Sequence, residues 1–189
     1  MQTKNLLRAL AAAALILASG NLAGCASAAR GDQMVATSVT AAQPGEPGYK
    51  AFRIAKVQGG KDTNPVLASQ VANTDFDSAL ENSLKAANYL ADDPATAKDE
   101  ITANLMELKQ PLVGLDLSVT SKVRYTATKV DDGAVIYDDT VAATGVGKLG
   151  DAIIAVERLR LANEAAIKAN IESFLEHLHS ALANQLAAQ

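Results

Sequence analysis

The 189-residue sequence predicts an α+β fold, a two-layer sandwich in which a mainly antiparallel sheet is covered by a long C-terminal helix. Three observations predict it. Residues 116–130 (DLSVTSKVRYTATKV) alternate apolar and polar side chains at period two, and 134–146 return with a similar alternation. Residues 151–187 contain neither glycine nor proline and repeat apolar residues at steps of three and four, the spacing of one buried helical face. Residues 75–91 show that helical spacing too, between two strand-like stretches. The element order is therefore β-α-β-β-β-α.

Each element has its own signature. The stretch 34–40 (MVATSVT) is a short strand candidate, and AAQPGEPG after it is broken by Pro44, Gly45, Pro47 and Gly48. Residues 25–48 thus read as a flexible tether, and 49–189 as a single domain. Residues 49–57 (YKAFRIAKV) make the first strand, with Phe52 and Ile54 on one face and Lys56 fitting that parity poorly. In the helix over 75–91, Phe76, Ala79, Leu80, Leu84, Ala87 and Leu90 share a face, and Thr74 or Asp75 is the expected N-cap. Residues 101–109 (ITANLMELK) are a strand ending before Pro111. In the third strand Leu117, Val119, Val123, Tyr125 and Ala127 share one parity. Asp131-Asp132-Gly133 supplies a hairpin turn in which Gly133 takes a positive φ. The returning strand places Val135, Tyr137, Val141 and Ala143 together.

In the last helix Ile167, Ile171, Phe174 and Leu178 form an apolar stripe. It either covers the dry side of the sheet or reaches another chain as a candidate interaction face. A groove between sheet and helix, lined from residues 101–130, would suit an apolar ligand such as a lipid, so a carrier role is the alternative to docking.

The N-terminus decides the compartment. Lys4 and Arg8 make a short positive region, and residues 6–20 are almost wholly apolar, too short to span a bilayer as a mature helix and ending in small residues. Leu22-Ala23-Gly24-Cys25 follows, with the only cysteine of the chain. These four residues resemble the lipobox of bacterial lipoproteins. The resemblance implies a signal peptide over 1–24, cleavage before Cys25 and acylation of its thiol. Each buried CH₂ is worth about 0.8 kcal/mol, so two or three acyl chains hold durably where one does not. Ala26, where inner-membrane retention favours Asp, implies lipid anchoring in the outer membrane on the periplasmic side. The element order over 49–187 more distantly resembles YajG-like lipoproteins and the modules of TolB-type and curli-secretion envelope proteins.

Composition excludes several functions. Without Lys4 and Arg8 the chain keeps 15 basic against 21 acidic residues, a net charge near −6, which makes nucleic acid a poor partner. His177 and His179 lie two apart on a helix and point away from each other, so no metal site is expected. Asp92-Asp93, Asp131-Asp132 and Asp138-Asp139 fit turns and surface charge rather than a carboxylate pair across a cleft. Gly145-Val146-Gly147-Lys148-Leu149-Gly150 lacks the hydroxyl residue that a phosphate loop places after its lysine, and reads as a turn needing backbone freedom. No catalytic residue and no cofactor are expected. The sequence reads as a non-catalytic envelope module that either docks an envelope protein or associates with itself.

Overall fold

The computed structural model describes residues 26–64 and 68–187. Its elements are β1 (Phe52–Gln58), α1 (Asn73–Ala86), β2 (Asp99–Lys109), β3 (Leu117–Lys129), β4 (Val135–Gly147) and α2 (Ala155–Ala187), with short 3-10 turns at Gly31–Met34 and Pro94–Thr96. The order is the expected β-α-β-β-β-α. The sheet runs β1-β2-β3-β4. β1 pairs in parallel with β2 through the α1 crossover, and the β2–β3 and β3–β4 pairs are antiparallel. α2 is one unbroken helix of 33 residues lying over β3 and β4.

The alternation in β3 is realised in full. Leu117, Val119, Ser121, Val123, Tyr125 and Ala127 point inward, and the other parity faces water. Three bulges then reset the phase of its neighbours. An extra residue at Ala55 turns Lys56 outward and brings Val57 in beside Ile54, which resolves the poor parity there. One at Met106 lets Leu105 and Leu108 both face α2's side of the sheet. One at Ile136 buries that residue and leaves Val135 exposed, so Val135 does not share the inner face with Tyr137 and Val141 as the alternation suggested. The β3–β4 turn has Gly133 at φ 71°, as expected.

α1 is shorter than its apolar spacing implied. Asn88 adopts a left-handed φ of 58°, the amide of Tyr89 donates back to the carbonyl of Leu84, and the chain leaves the helix. Tyr89 is then free to pack edge-on against Phe52 at 6.1 Å. The residue before the helix is Ala72, which offers no side-chain cap, so Thr74 and Asp75 lie inside the first turn instead.

The largest correction concerns residues 26–48, which are not a slack tether. Ala29, Met34, Ala36 and Ala42 are buried in the main core. The amide of Ala29 donates to the carbonyl of Gln70 (3.1 Å), that of Ala36 to the Ser83 hydroxyl (2.9 Å) and that of Ala42 to the carbonyl of Ala87 (2.9 Å). The expected strand over 34–40 does not form, because these amides find partners on and beside α1 rather than on the sheet. The segment is a strap running down α1, and Ala26, the first described residue, is already buried, well before residue 49.

Candidate functional site

Cys25 lies outside the described residues, and its neighbour Ala26, the first described residue, is buried. The proposed interaction face is not a surface. Ile167, Ile171, Phe174 and Leu178 are all fully buried beneath the sheet. Tyr125 stacks on Phe174 with ring centroids 3.9 Å apart and planes 6° from parallel. The Tyr125 hydroxyl donates to Asn170 Oδ1 (3.0 Å), whose amide donates to the Val141 carbonyl (2.9 Å). This contact fills the space where a groove between the layers would have lain. Periodicity had marked a buried face correctly; the other chain was unnecessary because the sheet covers it.

The glycine run is not a phosphate loop, nor is all of it a turn. Gly145 and Gly147 lie in β4 under α2, where a Cβ on Gly145 would stand 2.2 Å from the Ala166 nitrogen and one on Gly147 would stand 2.1 Å from the Arg158 carbonyl oxygen. They let the helix come down onto the strand. The histidines serve two tyrosines: His179 Nδ1 lies 2.8 Å from the Tyr89 hydroxyl and His177 Nδ1 lies 3.4 Å from that of Tyr137. Burial pushes both phenols up to about 12, so they remain neutral partners. Of the acidic pairs, Asp138 is held below its ordinary range by the Arg124 guanidinium at 2.7 Å, on the open face of the sheet. Among the described residues no group of three His, Cys, Asp or Glu is placed to hold a metal ion.

A cleft of about 410 Å³ runs between α1 and the outer side of β1. Its floor is Phe52, Ile54 and Leu90, and its walls carry Asp77, Glu81, Lys85 and Asp92. Burial, with Glu81 nearby, raises the Asp77 carboxyl above its ordinary range. No nucleophile or histidine joins these groups, so the cleft offers charge and shape but no evident proton relay.

The most unusual surface lies at one end of the molecule. The β2–β3 loop exposes Leu112 (99 %), Val113 (87 %) and Leu115, and the β4–α2 loop exposes Leu149, Ile153 (91 %) and Ile154. The loops touch, since the Leu149 amide donates to Asp116 Oδ1 (2.9 Å). The second is tied to α2 by Arg158, whose guanidinium donates to the carbonyls of Ala152 (2.9 Å) and Ile153 (2.7 Å). The start of the strap reaches the same end. Arg30 bonds Glu164 near the head of α2, and Gln110, which leads into the first loop, donates to the carbonyl of Ser69 beside the Gln70 that holds Ala29. Sequence reasoning missed this surface because the loops have no periodicity. The signal available was PLVGL, an apolar run at a turn where polar residues are the rule.

No protein-family model matches the chain, and no curated protein matches its sequence. Solved structures do match. Protein XCC0632 from Xanthomonas campestris, of family DUF330, superposes with a TM-score of 0.55 at 9% identity, over 82% of this chain and 98% of its own. A presumed lipoprotein from Caulobacter crescentus CB15 does so with a TM-score of 0.50 at 12% identity, over 73% of this chain and 94% of its own. The chain shares their fold. At such identities the likeness extends to the arrangement of strands and helices alone.

Proposed function

We propose that this chain is a lipid-anchored, non-catalytic lipoprotein of the bacterial envelope, acylated at Cys25, held in the outer membrane on its periplasmic side and docking another envelope protein. One observation carries the reading: a positive start, an apolar run and Leu22-Ala23-Gly24-Cys25 stand in that order immediately before Ala26, which is buried. The fold is compatible with it, and the Caulobacter crescentus structure of the same fold is itself described as a presumed lipoprotein. With the α2 stripe buried, a broad surface still open to a protein partner is the outer face of the sheet, which carries the Arg124–Asp138 and Lys122–Glu107 ion pairs. Such exposed pairs add little stability but set the charge pattern a partner meets.

Intact mass of the protein extracted from membranes tests the anchor. A polypeptide beginning at Cys25 and carrying a diacylglycerol supports it, and Cys25→Ser should abolish incorporation of labelled palmitate. A free thiol at Cys25, or a chain that starts after it, refutes it.

A further inference from the structure

We infer that the apolar end of the domain, formed by the 110–116 and 148–154 loops, rests in the lipid surface itself, so that the protein meets the membrane through its fold as well as through its acyl chains. The inference rests on the anchoring reading above and adds an orientation to it.

Four observations converge. The residue proposed to carry the lipid is one peptide link from Ala26, which is buried against the domain. A single peptide link would therefore separate the lipidated residue from a buried one, and an acylated Cys25 would hold the nearby surface close to the headgroups. The strap enters at the end bearing the exposed loops: Ala29 and Arg30 are bound to Gln70 and Glu164, and Gln110 and Asn163 both donate to Ser69 next door. That end exposes Leu112, Val113, Leu115, Leu149, Ile153 and Ile154, large aliphatic side chains on two touching loops. Contiguous exposed apolar surface of this kind marks a contact site. Finally, the charges beside these tips are balanced: the exposed Asp116 and Asp151 carboxylates accept from the backbone amides of Leu149 and Lys148, and Lys109 and Lys148 are exposed with them. A lipid surface with zwitterionic headgroups satisfies aliphatic tips that have charges of both signs beside them. The opposite end, where Val135 is exposed beside the Asp131–Gly133 turn, lies 12 residues away along β3, about 40 Å.

The chain contains no tryptophan, so one introduced indole reports one position. Leu112→Trp, Ile153→Trp and Val135→Trp should be made in the full chain, isolated from membranes, checked for fold by circular dichroism and for acylation by intact mass, and placed in vesicles of phosphatidylethanolamine and phosphatidylglycerol. The expected result is emission shifted to the blue at 112 and 153, with quenching by brominated acyl chains several-fold stronger than at 135. Equal quenching at all three positions in acylated protein overturns the inference while leaving the anchor intact. A blue shift at 112 and 153 without lipid quenching overturns it too, since a protein surface then covers the loops. If Cys25 proves unmodified the anchoring reading fails by itself; the loops are then read by mixing the protein with vesicles, where quenching at 112 and 153 upholds the lipid contact and its absence overturns it.

Discussion

Gly145→Ala should be one of the most damaging single-methyl additions to this domain. The added Cβ would stand 2.2 Å from the Ala166 nitrogen, 2.5 Å from the Ala162 oxygen and 2.7 Å from the Ala165 carbonyl carbon, where ordinary contact begins at 3.4 Å. All three are backbone atoms, so no rotamer change relieves the clash. The helix must retreat by about 1 Å over this turn, and the small cluster of Leu117, Val119, Leu159, Ala162 and Ala166 loosens with it. Overpacking a closed core costs about 1–3 kcal/mol, and a purely backbone obstacle belongs at the upper end, near 3. For a domain of this size that lowers the melting temperature by about 6–12 °C. Gly150→Ala is the control, because nothing lies within 4 Å of its Cβ and its φ is not in the left-handed region. It should be neutral or stabilising by about 0.4–1 kcal/mol. Thermal and urea unfolding followed by circular dichroism measure both. If Gly145→Ala melts no lower than Gly150→Ala, α2 does not sit against β4 as closely as described.

Two further perturbations test other contacts. Glu164 accepts from the Arg30 amide (3.0 Å), from Arg30 Nε (3.2 Å) and from Arg160 Nη1 (2.5 Å), and its side chain is 5% exposed. Glu164→Gln should cost about 2–3 kcal/mol, less than the ~3–5 of an isolated buried pair because Arg160 keeps Glu157. It should also speed amide exchange at Ala29 and Arg30; unchanged protection there would show that Glu164 does not hold the strap. Asp77 has its carboxyl raised by burial, so the folded state binds its proton more tightly than the unfolded chain does. Its ionised form therefore opposes folding, most fully above the folded value, and this cost fades as pH falls toward the unfolded value of about 3.9. Asp77→Asn should raise the melting temperature at neutral pH and lose that advantage in acid; a pH-independent difference would refute the burial argument.

What could be read from the sequence was what repeats. The period of β3, the spacing of α1 and α2 and the turn at Gly133 are local, and each survives in the structure. What could not be read depends on partners distant in sequence. The strap is alanine-rich and aperiodic, and its amides are satisfied by Gln70, Ser83 and Ala87, which no local pattern announces. Bulges at Ala55, Met106 and Ile136 are single-residue shifts that an alternation averaged over a strand conceals. Gly145 and Gly147 looked like loop glycines because close approach of a helix and a turn both call for a missing Cβ. The stripe of Ile167, Ile171, Phe174 and Leu178 was visible as buried, but periodicity does not name the cover. For the candidate site, the lipobox-like order of Leu22-Ala23-Gly24-Cys25 is local, whereas the apolar loops become one surface only once β2, β3 and β4 bring them together.

The ion pair between Arg30 and Glu164 joins residues 134 apart in the chain. The β2–β3–β4 ladder closes through short connections and can form early, whereas a contact of that separation carries a far larger loop-closure cost before it is rewarded. The Arg30–Glu164 contact at the start of the strap can close only after the chain has been made through the first turns of α2 and that helix has seated on the sheet. Closure of that contact thus signals that the polypeptide at least as far as Glu164 has arrived and folded.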